Sequence, residues 1–346
     1  MEVVRSGPLL RDVARPESHD ADLKEQLGSL YAPIQEELTQ TERRLRDALR
    51  SDSDFIEELV KRVQLYGGKR LRPALLLLSG RACGRVDPDH VALAATVELI
   101  HVATLVHDDV LDEANVRRHV TTVNAEWGME PSLLLGDFLF THAFQLAAEV
   151  STPDACRWLG RSTNRTCGGE LHQISRRGAF ELPEAEYLEM LAGKTAELIS
   201  CACGLGARYA GAPPEWERAL ASYGRNLGIA FQIADDVLDL CGDEATTGKP
   251  TGSDWRKRKL TLPLIRLRET ASAATRAQLR DLFDEASPER LPDVLEMIRA
   301  GDALDYSRRR ALEFVQAAAS DISILPECPA KDSLVRLPRF AVERTA

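Results

Sequence analysis

Residues 91–113 read VALAATVELIHVATLVHDDVLDE, and the rest of the chain is interpreted outward from this stretch. Apolar side chains fill it without the in–out alternation of a half-buried strand and over more residues than a strand usually has, which makes it a buried helix. Near its end, Asp108 and Asp112 stand four residues apart, so their carboxylates share one helix face at ~6 Å. Acidic residues in an apolar helix cost stability unless cations or water compensate them. Magnesium suits such a pair, because it accepts one or two carboxylates and completes its octahedron with water and phosphate oxygens. The stretch therefore points to a hard cation and a phosphorylated ligand.

The pattern recurs in residues 231–240, FQIADDVLDL, with Asp235, Asp236 and Asp239. One acidic turn alone reads more readily as a solvated surface; two copies in apolar helices reverse that and read as a paired site. Helical spacing continues on either side, from about Leu23 to Tyr66 through Leu38, Leu45, Leu49, Ile56, Leu59 and Val63. Further runs cover Leu71 to Cys83, Ser132 to Val150, Pro153 to Ile174, Pro183 to Ala210, Pro214 to Leu240 and Thr261 to Leu267, most of them punctuated by Pro or Gly. Alternating β-branched and aromatic runs are missing, and aromatics are only 5% of the chain, so the fold is expected to be all-α. With no break in composition, residues 23–346 form one large helical bundle after a polar N-terminal extension, 1–22, that has no apolar pattern to order it.

The 346 residues are 44% hydrophobic and 28% charged, as in soluble globular proteins rather than disordered chains. An excess of 54 acidic over 44 basic residues argues against a nucleic-acid partner, so any anionic ligand must be met by local charge. Seven cysteines without CxxC or metal spacing fit a reducing, cytoplasmic compartment. Arg5, Arg11, Asp12, Arg15 and Pro16 interrupt any secretory leader. The apolar span Val91–Val106 contains Glu98 and His101 and falls short of a bilayer crossing, so no transmembrane segment is expected.

Local charge is found at GGKRLRP (67–73), a glycine-rich turn opening an apolar helix with Lys69, Arg70 and Arg72, a geometry suited to diphosphate. Lys194-Thr195 lies in an apolar run, and Gly248-Lys249-Pro250 and Lys257-Arg258-Lys259 follow the second acidic cluster. Residues 242–249 are not a P-loop: the spacing is one residue too long, and Pro250 replaces the magnesium-binding Ser/Thr.

Taken together, GGKRLRP, the acidic cluster at Asp108 with Arg117-Arg118, GDFL at Gly136, Lys194-Thr195, FQIADDVLDL, GDE at Gly242, GKP at Gly248 and KLTLP at Lys259 resemble, in order, the trans (E-type) isoprenyl diphosphate synthases, or polyprenyl synthetases. The resemblance runs from about Tyr66 to Pro263. It implies helices around a deep central cavity, usually as a homodimer, and condensation of isopentenyl diphosphate with an allylic diphosphate. By motif position it implies that Asp108, Asp112 and Asp235 hold magnesium, with Asp109, Asp236 and Asp239 supporting. Arg117, Lys194, Thr195, Gln232, Lys249 and Lys259 are the implied contacts of the allylic diphosphate; Lys69, Arg72, His101 and Arg118 are those of isopentenyl diphosphate. His107 is expected to support rather than touch the ligands.

Ala103 and Thr104, about one turn before Asp108, are small where short-chain members often carry an aromatic residue, so a product longer than farnesyl diphosphate is expected; Phe138 or Phe144 is the alternative wall. The sequence departs from the family pattern at His119-Val120-Thr121-Thr122, where Gly-x-Pro-Thr is common, at Gly128-Met129-Glu130, and at Arg258, where Gly usually precedes the lysine. A class I terpene synthase and a non-catalytic subunit are the competing readings; the second aspartate-rich motif and the Lys69/Arg72 site favour condensation.

Overall fold

Helices make up most of the computed structural model, which describes residues 25–242 and 251–343. The extension expected over 1–22 and Lys249 lie outside the described residues. Helices α1 (Gln35–Ala48) and α2 (Asp54–Gln64) are amphipathic, and α2 starts where the Ser53 side chain accepts the Ile56 amide. The next helix, α3 (Leu71–Ala82), is buried all round: Leu75, Leu76, Leu77 and Leu78 have no exposed surface. Each such leucine contributes about 1.5–3 kcal/mol of burial, which fixes α3 at the centre of the molecule.

Helix α4 (Pro88–Leu111) covers the apolar stretch from Val91 to Leu111 and starts a turn earlier, with Asp112 as its C-cap. Its first amides are capped by Asp87, and the ring of His90 donates from Nε2 to the Gly206 carbonyl at 3.1 Å. At 24 residues α4 is longer than the apolar span read from sequence, and by length and composition it is sufficient to cross a bilayer. It is instead an interior helix, with 72% of its most apolar window buried inside the protein.

Within this all-α fold there is one short hairpin among the described residues. Val116–Arg117 and Val120–Thr121 pair antiparallel as β1 and β2. The two residues between them, Arg118 and His119, have φ of 50° and 65°, the signs of a type I′ hairpin turn. Four strand residues are too few to show an alternating pattern. Helices α5 (Val123–Trp127), α6 (Met129–Ala148) and α7 (Asp154–Ser175) follow, with α6 packed along α4.

The run Pro183–Ala210 is not one regular helix. It divides into α8 (Glu184–Leu191), a π-helical turn at Ala192–Ala196 and α9 (Glu197–Tyr209). Helix α10 (Pro214–Cys241) then runs through both hydrophobic cores. Its Leu220, Tyr223 and Leu227 pack with α3, α4, α6 and α9, whereas Ile229, Ile233 and Leu240 pack with the later helices. Those are α11 (Ser253–Arg256), α12 (Leu262–Thr270), α13 (Ala273–Asp284), α14 (Leu291–Arg299) and α15 (Ala303–Asp321); α16 (Pro329–Glu343) returns to α3. Helices beyond Thr270 were not legible as apolar runs, being short or largely charged on the outside.

Candidate active site

The last three turns of α4 have two chemically different sides. His101, Thr104, Leu105 and Asp108 keep partial exposure, while Ala103, Val106 and Asp109 are buried. Helical rotation separates Ala103 from Asp108 by well over a right angle, so only Thr104 shares the aspartate's side. Asp109 points inward, where Arg117 Nε donates to its Oδ1 at 2.7 Å. Both members of this pair are buried, and the Tyr66 hydroxyl beside them is pushed up to about 12, mainly by burial. Arg117 therefore reaches the acidic cluster through Asp109, held on β1.

Burial raises Asp108, with Lys194 as the largest opposing charge. For Asp112 the balance reverses. Burial alone would raise its carboxyl, but Lys257, Lys259 and Lys194 hold it below the usual range. Lys257 Nζ lies 2.6 Å from Asp112 Oδ1, a contact that sequence reasoning missed although the basic run 257–259 was visible.

The second cluster occupies the last turns of α10. Asp236 is buried and accepts from the Tyr187 hydroxyl at 2.6 Å and from Gln232 Nε2 at 2.8 Å. Asp239 accepts the amides of Ser253 and Asp254 at 3.2 and 2.9 Å, which folds the chain after the cluster back onto α10. Burial and the neighbouring Asp254 hold both Asp236 and Asp239 above the ordinary carboxylate range, and Asp235 adds to the crowding. Asp254 in turn binds Lys259 at 3.0 Å. Although burial opposes its charge, Asp254 and Asp112 keep Lys259 above the usual lysine range.

Two glycines let the π turn reach this cluster. A Cβ at Gly228 would sit 2.4 Å from Ala196 Cα, and one at Gly169 would sit 2.6 Å from the Lys194 amide nitrogen. With neither present, α7 and α10 both close on the turn. Thr195 then donates to Gln232 Oε1 at 2.7 Å, and Lys194 Nζ reaches Glu170 at 2.6 Å and Gln173 at 3.0 Å. Glu170, Gln173, Tyr187 and Asp254 carry no local motif by which sequence would single them out.

Lys194, Gln232, Asp236, Asp254 and Lys259 line one recess. Lys194 also acts on Asp108 and Asp112, and Lys259 on Asp112. One set of lysines thus adjoins both acidic clusters. A second basic group lies beside the start of α4's open side. Arg70 is consumed by Glu42 and Glu98, at 2.5 and 2.8 Å. Arg118 donates to the carbonyls of Tyr66 and Gly67. Arg72 is left with a buried Nε that has no hydrogen-bond partner, and burial with the Arg118 charge brings its guanidinium down to about 10. Lys69 is exposed in the same turn. His101 is held well below the ordinary histidine value by burial and by Arg72, Arg118, Arg117 and Arg70, in that order. His107 turns elsewhere, its Nε2 donating to the Leu133 carbonyl at 3.1 Å.

The donor set of both acidic clusters is all carboxylate oxygen, which suits a hard cation. Among the described residues no three ligating side chains converge on one point. That fits an ion held by a few carboxylates and completed by phosphate oxygens, and the repulsion among Asp235, Asp236, Asp239 and Asp254 is what such an ion would relieve.

The family model for polyprenyl synthetase matches residues 53–299. The chain is 35% identical to the octaprenyl diphosphate synthase of Escherichia coli over 299 residues, 86% of this chain and 93% of that protein. It superposes on the crystal structure of a decaprenyl diphosphate synthase from Rhodobacter capsulatus with a TM-score of 0.87 at 35% identity, covering 93% and 99% of the two chains. A polyprenyl synthase from Caulobacter crescentus, solved with calcium and isoprenyl diphosphate, gives 0.88 at 34% identity over 92% and 98%. Similarity of this extent, over a fold that puts the acidic clusters and the lysines together, shows that the chain belongs to the polyprenyl synthetase family.

Proposed function

We propose that this protein is a prenyltransferase that condenses isopentenyl diphosphate with an allylic diphosphate in trans, giving a polyprenyl diphosphate longer than farnesyl. The observation that carries the reading is the single set of lysines, Lys194, Lys257 and Lys259, adjoining both acidic clusters. The similar proteins named as octaprenyl and decaprenyl synthases support the product class.

In this reading Asp108, Asp112 and Asp235 hold magnesium, which when bound neutralises charge on the departing diphosphate. Asp109, fixed by Arg117, and Asp236, fixed by Tyr187 and Gln232, brace the turns that carry those carboxylates. Lys194, Thr195, Gln232 and Lys259 receive the allylic diphosphate, and their ammonium and amide groups stabilise the negative charge that develops on its oxygens. Lys249 is assigned there by motif position alone. Arg72, with its unpartnered Nε, takes isopentenyl diphosphate together with Lys69, Arg118 and His101. The neutral His101 ring donates one hydrogen bond without adding charge to an already cationic corner. Thr104 and Leu105, on the partly exposed side of α4 with Asp108, are assigned to the apolar path of the growing chain, where water must be kept from an allylic cation. No protein nucleophile is required, and the released diphosphate accepts the proton.

A homodimer is part of the proposal. Met129, Leu133 and Leu134 on α6 and Leu171 on α7 present large apolar side chains that are 62%, 41%, 63% and 67% exposed, and a second copy covers them. All seven cysteines are free thiols, in keeping with a reducing, cytoplasmic setting. The test is incubation with magnesium, radiolabelled isopentenyl diphosphate and a panel of allylic primers, with products sized after phosphatase treatment. Absence of incorporation with every primer refutes the reading.

A further inference from the structure

Arginine occupies position 258, directly before Lys259, where the motif it resembles usually has glycine. The backbone there still has glycine's conformation: φ is 52°, a left-handed geometry that costs a residue with a Cβ about 1–2 kcal/mol. The side chain meets that cost with an unusual density of contacts. Its Nε donates to the Phe283 carbonyl at 3.2 Å and its Nη2 to Asp284 Oδ1 at 2.7 Å. The guanidinium also stacks over the Phe283 ring, 5.7 Å from its centre. Phe283 is itself wedged between Phe180 and Trp255, at centroid distances of 5.7 and 5.9 Å.

These contacts fall at the C-terminus of α13, where carbonyls lack helical partners and a cation is favoured by the helix dipole. On its other side, the Arg258 carbonyl accepts the Gly178 amide at 2.8 Å. One residue therefore ties the end of α13 and the turn at Gly178 to the segment after α11. The neighbours of Arg258 in sequence are the two lysines that reach opposite acidic groups, Lys257 at Asp112 and Lys259 at Asp254. Lysine side chains are long and flexible, so where their ammonium groups rest depends on how firmly the backbone beneath them is held.

We infer that Arg258 is a positioning residue, anchoring its left-handed turn to α13 and Gly178 so that Lys257 and Lys259 are held between the two acidic clusters. The inference rests on the function proposed above for those lysines. It makes the end of α13, remote from the substrates in sequence, part of the support of the diphosphate site.

Arg258→Gly is a clean test, because glycine prefers the observed backbone and the variant retains the fold while losing the guanidinium. The expected result is about a tenfold weaker binding of inorganic diphosphate with magnesium by calorimetry, and a comparable rise in KM for the allylic substrate with KM for isopentenyl diphosphate unchanged. Amide hydrogen exchange over 255–262 should quicken. Asp284→Ala should shift the same quantities in part, and the double variant should be no worse than Arg258→Gly alone. Arg258→Lys should restore some of the loss. Should Arg258→Gly leave diphosphate affinity and exchange as they were, the arginine merely fills its position and the inference is overturned. A wild-type protein that binds diphosphate but incorporates no isopentenyl diphosphate would defeat the functional reading alone, since the calorimetric and exchange comparisons still decide the role of Arg258.

Discussion

Gly228→Ala isolates the contact that brings the π turn to the second acidic cluster. The added Cβ would lie 2.4 Å from Ala196 Cα and 2.6 Å from Ala196 Cβ. Carbon atoms rest at about 3.5–4.0 Å, so α10 and the π turn must separate by roughly 1 Å. Neither obstacle is a side chain that can rotate away. Overpacking of this kind costs about 1–3 kcal/mol, and the gain of about 1 kcal/mol from replacing a helical glycine offsets only part of it. A net loss of up to about 2 kcal/mol is expected in thermal or urea unfolding. The larger effect is on geometry: the 2.7 Å bond from Thr195 to Gln232 crosses this seam, and Gln232 in turn holds Asp236 on α10. A misplacement of ~1 Å in a catalytic array costs on the order of 100-fold, and that is the expected loss in kcat/KM for the allylic substrate. Gly206→Ala supplies the control, since its Cβ would meet the Leu76 carbonyl at 2.2 Å, far along α9 from the π turn. It should cost stability without a kinetic defect in the folded fraction. If Gly228→Ala is as active as the wild type, the close seam is not what places Lys194 and Thr195.

Thr104→Phe is expected to shorten the products seen by chromatography, while Ala103→Phe, in a fully packed position, should lose about 1–3 kcal/mol of stability through overpacking. Asp108→Asn and Asp235→Asn should each lower kcat by roughly 100-fold or more, and chelation of divalent metal should abolish turnover until magnesium is returned. His101 is depressed in the folded state by burial and four arginines, so the unfolded chain binds its proton first; stability should fall as pH drops below about 6.5, and His101→Gln should flatten that part of the stability–pH curve. Leu134→Glu should convert the sedimenting species from dimer to monomer; an unchanged sedimentation coefficient would remove this face from the interface.

Much of the fold was legible because helical spacing is a local property. The run ending at Asp108 and Asp112, and its counterpart at Asp235 and Asp239, follow from the 3.6-residue period and from the cost of acids among apolar neighbours. The same periodicity overreached at Pro183–Ala210, because a π turn preserves the apolar pattern while changing the hydrogen bonding. It also grouped Ala103 with Thr104, which are adjacent in sequence but lie on different sides of α4. The hairpin at 116–121 escaped notice because its turn is built from Arg118 and His119 rather than from glycine or asparagine.

Sequence alone determined most of the helices up to Leu267, the two acidic turns and the order of the basic motifs, since residue type and spacing along one helix are enough to set which groups share a face. Tertiary structure decided which charges meet across helices. It turned Asp109 and Arg117 inward, seated Lys257 on Asp112, and set Asp254 between Asp239 and Lys259. Such pairings join residues from different elements and so depend on how closely those elements pack, just as the approach of the π turn to α7 and α10 depends on the missing Cβ at Gly169 and Gly228.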